Sequence, residues 1–106
     1  MSIRAILLAL SLSLTAMSAA AFERNFPLTT KRGVMTPDLY PAVLINGKAR
    51  NLSAGARIWN QDNLIEQPSS LRERGVPVNY TENDHGEIDR IWMLRPEEAR
   101  VPLPRP

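Results

Sequence analysis

The chain has 106 residues, which is room for one modest domain. It contains 13 Lys and Arg against 11 Asp and Glu, and it contains no cysteine. The missing cysteine excludes disulfides, thiolate metal sites and thiol catalysis. The near balance of charge argues against nucleic-acid binding, which needs a basic surplus to displace phosphate counterions.

The first 21 residues have the pattern of an export signal. Arg4 supplies the positive start, residues 5–17 are apolar apart from Ser and Thr, and small residues follow. The A-x-A pattern ending at Ala21 predicts cleavage there, with cleavage after Ala20 as the alternative. The apolar run is shorter than the roughly 20 residues of a spanning helix. We therefore favour a cleaved signal over an uncleaved N-terminal anchor.

The predicted location after cleavage is the bacterial periplasm, or the medium outside the cell. A small secreted domain without cysteine is unusual where disulfide scaffolds dominate, and this favours the periplasm. Because Arg4 lies in the predicted signal, residues 22–106 carry 12 basic and 11 acidic side chains. We expect no transmembrane span after cleavage.

Residues 22–41 are predicted to form an extended arm. They contain Pro27, Gly33, Pro37 and Pro41, with no sustained period of two or 3.6 residues. We expect this arm to be mostly irregular and to dock its apolar side chains on the domain that follows.

A small β domain is predicted over residues 42–95. Its strongest local signal is Asn46-Gly47 between two strand-like runs, which is typical of a type I′ hairpin because both turn residues need a positive φ. In this register Ile45 lies opposite Lys48.

The stretch between the two predicted hairpins carries weaker signals. Leu64-Ile65 predicts a further short strand. Ser70 and Glu73 have capping-box spacing, which predicts one helical turn ending at Gly75.

The second hairpin is predicted around a three-residue loop, residues 84–86. This loop length places Tyr80 opposite Arg90, a favourable aromatic–cation pair. A two-residue loop would instead place Glu82 opposite Asp89, and like charges that face each other are destabilising. We therefore predict the three-residue loop.

The same loop gives Gly86 a specific role. It occupies the left-handed position of a bulge, which glycine adopts at little cost. The hairpin as a whole covers residues 78–94.

Residues 96–106 are predicted to form a Pro-rich tail. Prolines alternate with other residues, which is typical of an extended polyproline-like segment. Such a tail is either disordered or a ligand for an aromatic groove. With four to five short strands and at most one short helical turn, the chain is predicted to be mainly β, as a small antiparallel sheet or an open barrel.

The aromatic and arginine side chains form the candidate binding surface. These residues are Arg57, Trp59, Tyr80, Arg90 and Trp92. Trp, Tyr and Arg dominate protein–protein hot spots because they combine a large area with a polar group. The alternative is that both tryptophans belong to the core of a small sheet.

An acidic loop offers a weaker candidate for a divalent metal site, built from Asp84, His85, Glu87 and Asp89. One histidine is too few for a transition-metal site, and the carboxylate spacing does not match a calcium loop. We therefore favour a solvated hairpin tip in which Asn83 or Asp84 bonds to its own backbone.

No pattern in the sequence indicates an enzyme or a cofactor. The serines have no G-x-S-x-G context, and the five glycines are scattered rather than gathered in a phosphate loop. His85 has no evident nucleophile or orienting carboxylate apart from its loop neighbours. We expect a non-catalytic protein.

Several runs resemble a group of small uncharacterised exported proteins of proteobacteria. They are residues 52–58, residues 63–65 and the stretch that begins at 78–80 and ends at 91–92. The resemblance extends over roughly residues 33–98. It implies a periplasmic location and supplies no activity or ligand.

These observations favour a small exported protein that binds another envelope protein or an extended peptide. Its exposed sheet edges, its arm and its Trp and Arg side chains would make the contacts. The alternative is a small-ligand or divalent-cation module that uses residues 84–89. A closed barrel with covered edges and two buried tryptophans would count against the first hypothesis.

Overall fold

The computed structural model describes residues 23–103. The predicted signal and the last three residues of the predicted tail lie outside this range. The elements within it, in chain order, are β1 (Lys31–Pro37), β2 (Ala42–Ile45), β3 (Lys48–Trp59), β4 (Ile65–Glu66), a 3₁₀ turn (Pro68–Ser70), β5 (Val76–Glu82), β6 (Ile88–Met93) and α1 (Pro96–Ala99).

Five of the strands close into a barrel. Strand β1 pairs with β2 and β5, β3 pairs with β2 and β6, and the β5–β6 hairpin completes the ring. Strand β4 lies outside the ring, paired with the end of β3. The prediction of a mainly β fold is confirmed. The strand order around the ring is β1-β2-β3-β6-β5.

One pairing departs from the predicted antiparallel sheet. Strand β6 lies between β5 and β3, and it pairs with β3 in parallel. The core lies inside the ring and consists of apolar side chains from the five barrel strands together with Leu71. Its buried members are Met35, Val43, Ile45, Leu52, Ile58, Leu71, Val76, Val78, Tyr80, Ile88, Ile91 and Met93.

The first hairpin agrees with the prediction. Asn46 and Gly47 have φ values of 54° and 80°, as a type I′ turn requires. Ile45 lies opposite Lys48.

The second hairpin contains two registers separated by a bulge. Next to the loop, Glu82 lies opposite Ile88, whereas one step farther Thr81 lies opposite Arg90. Asp89 is therefore the extra residue of the bulged strand. Because of this bulge, Glu82 and Asp89 do not face each other, and the hairpin avoids a pair of like charges.

The prediction of one register along the whole hairpin is wrong beyond the bulge. Tyr80 lies opposite Ile91 instead of Arg90. Gly86 does have the expected left-handed backbone, with a φ of 77°.

The variant Gly86→Ala tests the role of this glycine. A Cβ at Gly86 would meet nothing within 4 Å, so its cost is conformational only. We expect the free energy of unfolding to fall by about 1 kcal/mol, the usual cost of a left-handed backbone for an L-residue. Urea denaturation measures it. Gly55→Ala is the control, because Gly55 also has open space around it but no positive φ. Equal losses in both variants would contradict this explanation.

Three predicted segments have a different structure. Strand β1 lies within residues 22–41, which we expected to be a mostly irregular arm. The helical turn is the 3₁₀ turn at Pro68–Ser70 and does not extend to Gly75. The predicted tail begins with the short helix α1.

Residues 23–103 contain no helix with the length and apolar content that a membrane crossing would require.

Candidate functional site

The tripeptide Arg-Ile-Trp occurs twice in the chain, at 57–59 and at 90–92. The first copy ends β3 and the second lies in β6. The parallel pairing of these strands places the copies side by side in register, arginine beside arginine, isoleucine beside isoleucine and tryptophan beside tryptophan. We call these six residues the Arg-Ile-Trp ladder. Sequence reasoning found four of them one by one but missed the repeated tripeptide, which is visible in the sequence.

The ladder has one face inside the barrel and one outside. Ile58 and Ile91 are fully buried in the core. Because side chains alternate along a strand, the arginines and tryptophans of both copies point outward. The outer face therefore carries a cationic row and, one step along the strands, an aromatic row.

The two tryptophans stack on each other. The ring centroids of Trp59 and Trp92 are 5.3 Å apart, and the planes differ by 11°. Phe26 contacts Trp92 edge-on, with centroids also 5.3 Å apart. Trp92 is 8% exposed, whereas Trp59 is only half-buried. Trp92 is thus a covered platform, and Trp59 keeps part of its surface open.

The row of Trp59 and Trp92 continues onto the outer strand β4 with an aliphatic residue, and we call Trp59 and Ile65 together the apolar row. Ile65 lies opposite Trp59, and it is 60% exposed. Ile65 is therefore added to the predicted binding surface, whereas Tyr80 is removed from it. Tyr80, which we expected on the surface, is 6% exposed and belongs to the barrel core, because alternation along β5 points it inward.

The arginines of the ladder have no partner within residues 23–103. Arg57 and Arg90 are both exposed, and no hydrogen bond or ion pair joins either one to a described residue. Like charges on directly neighbouring strand positions are destabilising. The barrel therefore keeps two adjacent positive charges that do not contribute to its own stability.

The variant Arg90→Gln tests this cost. We expect the free energy of unfolding to stay unchanged or to rise by about 0.3 kcal/mol, because the substitution removes a repulsion and breaks no described contact. Thermal denaturation at low salt measures it. A loss above about 1 kcal/mol would show that Arg90 stabilises the barrel.

The N-terminal segment, residues 23–30, is fixed to the outside of the barrel by Arg24. The Arg24 guanidinium donates to both carboxylate oxygens of Glu98, at 2.6 and 3.0 Å. It also donates to the backbone carbonyl oxygens of Asn60 and Met93, at 2.9 and 2.8 Å. The Arg24 side chain is only 4% exposed. This anchor holds Phe26 against Trp92, and no local sequence signal predicts it.

The anchor shifts the pKa of Glu98. Burial alone would raise it, but hydrogen bonds from Arg24 and from the backbone and side chain of Arg95 lower the pKa of Glu98 to about 2. The group is therefore ionised in the folded protein far below the usual carboxyl range.

This shift predicts acid sensitivity. The Glu98 pKa is near 4.5 in the unfolded chain and about 2 in the folded one, so its stabilisation is complete above pH 4.5 and is lost as the pH falls toward 2. We expect the gap in unfolding free energy between the wild type and Glu98→Gln to shrink across that window. Denaturant titrations from pH 7 to pH 2 measure it. Parallel curves for the two proteins would contradict the shift.

A cleft of about 610 Å³ lies between the N-terminal segment and the chain after β6. It is lined by Glu23, Arg24, Asn25, Phe26, Arg32, Asn79, Arg95, Glu97, Glu98, Val101 and Pro102. Its cations are already engaged. Arg32 donates to the side chain of Asn79 and to the carbonyl oxygens of Ala99 and Val101.

A second apolar patch lies at the β1–β2 loop. Leu39 is 84% exposed and Tyr40 is 63% exposed. They border a cleft of about 270 Å³ whose walls include Pro37, Pro68 and Leu71. Among the residues that border this patch in the described part of the chain, no two adjacent charges lack a partner as Arg57 and Arg90 do. A partner protein would therefore find only apolar contacts here.

The acidic loop is organised by its own hydrogen bonds. The Asn83 side-chain oxygen accepts from the backbone N–H groups of His85 and Glu87, and its amide donates to the Glu87 carboxylate at 3.0 Å. Asp89 accepts from Ser53 at 2.9 Å. The predicted self-bonded hairpin tip is confirmed for Asn83. Asp84 and its neighbours do not form a metal site. Within residues 23–103, no group of three or more His, Asp or Glu side chains is arranged to hold a metal ion.

In comparisons with protein-family models, curated proteins and solved structures, the chain matches none of them. The function therefore has to be inferred from the geometry of the ladder and its surroundings.

Proposed function

We propose that this chain is a small, exported, non-catalytic protein of the periplasm, and that it binds another envelope protein, or an extended peptide of one, through the outer face of the Arg-Ile-Trp ladder. The observation that carries the proposal is a pair of adjacent arginines, Arg57 and Arg90, that have no partner among the described residues and lie beside the half-buried Trp59. The export signal predicted over residues 1–21 supports the location.

The ladder has the composition and rigidity of a protein-binding hot spot. Trp and Arg are the residues most enriched at such positions. The stack on Trp92 fixes the ring of Trp59 before a partner arrives, so little side-chain entropy remains to be lost on binding. Ile65 extends the apolar area beside it.

The sheet edges support the proposal less than we expected. Each of the five barrel strands pairs with a neighbour on both sides, so no barrel edge is free to bind a peptide. The indole of Trp92 is covered as well. Within residues 23–103 the open edge is that of β4, which has only two residues. The face of the ladder, rather than a barrel edge, therefore carries the binding hypothesis.

The alternative hypotheses point to other places. A divalent-cation module would use residues 84–89, but Glu87 and Asp89 already accept hydrogen bonds from Asn83 and Ser53. The small-ligand form of this alternative would use the same loop. The cleft beside the N-terminal segment does not favour a small ligand either, because Arg24 and Arg32 are engaged by the protein itself.

Site-specific crosslinking tests the proposal. The full chain, tagged at its C-terminus, is expressed in a proteobacterium with a photo-crosslinking residue in place of Ile65, and cell fractionation reports its location. We expect a shortened protein in the periplasmic fraction and one crosslinked envelope partner, identified by mass spectrometry.

Matched variants decide which surface is responsible. The double variant Arg57→Gln/Arg90→Gln should lose the crosslinked partner by about tenfold or more, since a charge-assisted contact contributes about 1.5–3 kcal/mol. Arg74→Gln/Arg100→Gln is the control, because both arginines are exposed and lie outside the ladder. A partner that is retained by the first double variant, or lost only with Leu39→Ser, would contradict the proposal.

A further inference from the structure

Resting on the proposed function, we propose that the ladder recognises an extended acidic peptide in which a carboxylate side chain is followed, two positions later, by an apolar side chain. Arg57 and Arg90 would grip the carboxylate between them, and Trp59 with Ile65 would receive the apolar side chain.

The cationic row fits a single carboxylate held from two sides. Neighbouring strands lie about 4.8 Å apart, so the two arginines leave the barrel surface at adjacent points. A carboxylate has two oxygens and about four acceptor positions, and arginine offers a planar fork of N–H donors that matches it. One bound carboxylate would satisfy both guanidinium groups and cancel their repulsion.

Some cations of the barrel are paired within residues 23–103, whereas the two adjacent ladder arginines are not. Lys31 and Arg50 both pair with Glu82, at 2.7 and 3.0 Å. Asp89, the carboxylate next to Arg90 in sequence, accepts a hydrogen bond from Ser53 on the neighbouring strand. No carboxylate within residues 23–103 pairs with Arg57 or Arg90, so both guanidinium groups are available to a carboxylate of a partner.

The spacing of the peptide follows from the spacing of the ladder. In each copy the arginine precedes the tryptophan by two residues, and the parallel pairing keeps both copies in the same direction. An extended peptide repeats its side chains on one face every two residues, with about 6.6 Å between them. A peptide that runs in the same direction as β3 and β6 therefore places position i over the arginines and position i+2 over Trp59.

The apolar row distinguishes an acidic peptide from other anions. A free phosphate would use the arginines alone and leave Trp59 and Ile65 exposed. A nucleic acid would need a wider basic surface than the two ladder arginines, and the chain as a whole has a net charge of only +2. An anionic membrane would need side chains free to insert, whereas Trp59 is stacked flat on Trp92.

Tryptophan fluorescence offers a direct measurement. The sequence contains two tryptophans, and both belong to the ladder, so every change in the signal reports on this surface. The probe is the end-blocked peptide Thr-Asp-Thr-Leu-Thr. Its controls are the same peptide with Asn in place of Asp, and a peptide in which Asp and Leu are adjacent.

We expect saturable binding of the probe and at least about tenfold weaker binding of the Asn peptide, with an intermediate result for the altered spacing. Arg57→Gln and Arg90→Gln should each weaken the probe by about tenfold, and Arg74→Gln should leave it unchanged. Equal binding of the Asp and Asn peptides would overturn the inference, as would binding that the ladder variants do not alter. Inorganic phosphate and phosphatidylglycerol vesicles are tested as alternative ligands in the same fluorescence assay. If either one binds in a way that depends on Arg57 and Arg90 while the probe peptide does not bind, the inference is also wrong.

The two proposals fail in different ways. If the crosslinked partner depends on Arg57 and Arg90 but the acidic peptide does not bind, the proposed function stands and this inference is wrong. If the partner is captured independently of the ladder, the proposed function itself is wrong.

Discussion

Replacing Arg24 with alanine is expected to lower the free energy of unfolding by about 3 kcal/mol. Removing one member of a buried ion pair is strongly destabilising, and the Glu98 carboxylate would keep only its contacts with Arg95. Here the loss also removes the donors to two backbone carbonyl oxygens, those of Asn60 and Met93. Urea denaturation at pH 7, followed by circular dichroism, measures the change.

The double variant Arg24→Ala/Glu98→Gln gives the control for this experiment. Because it also removes the buried carboxylate charge that has lost Arg24, we expect it to be more stable than Arg24→Ala alone. Lys31→Ala, which breaks an exposed ion pair with Glu82, should change stability little. A small effect of Arg24→Ala would mean that the N-terminal segment is not held in the way described.

Replacing Trp92 with alanine is expected to lower the free energy of unfolding by about 3–4 kcal/mol. Its ring is covered on one side by Trp59 and at its edge by Phe26, so the substitution opens a cavity between the barrel and the N-terminal segment. Trp59→Ala should cost less, about 1–2 kcal/mol, because part of that ring is already in contact with water.

The test compares the loss of unfolding free energy in Trp92→Ala with the loss in Trp59→Ala. Chemical denaturation followed by far-ultraviolet circular dichroism compares both variants without relying on tryptophan fluorescence. Equal losses would mean that Trp59 is as buried as Trp92, and the open half of the aromatic row would then not be available to a partner.

Local turn chemistry explains what the sequence could predict. Asn46-Gly47 determined the first hairpin and its register, since both residues need a positive φ. Gly86 was assigned its left-handed position for the same reason. The bulge at Asp89 was not predicted, because the cross-strand pairs were compared for two uniform registers, whereas the hairpin changes register at this residue.

Strand β1 was missed because its pattern is reversed. Its inward positions are occupied by Gly33 and Met35, whereas Val34, the residue with the stronger strand propensity, points outward and is exposed. A glycine at a core position weakens the alternation that identifies a strand, and Pro37 at its end suggests a break.

The contacts that build the candidate site join distant parts of the chain. Arg24 and Glu98 are 74 residues apart, and no spacing rule connects them. The two Arg-Ile-Trp copies are in the sequence, but only the parallel pairing of β3 with β6 brings them together. Trp59 and Trp92 were weighed as core or surface. They stack on the outer side of the barrel, where the N-terminal segment covers one of them.

The position of β6 also has a consequence for the order of assembly. It is the last barrel strand in the chain, yet it lies between β3 and β5, so the ring cannot close until the chain through Met93 is available. Folds dominated by such distant pairings form slowly compared with helical ones. The N-terminal segment can dock only after that, because Arg24 donates to carbonyl oxygens at the ends of β3 and β6 and to Glu98 beyond β6. For the export that we propose, this late closure would keep the chain unfolded until its last barrel strand has crossed the membrane.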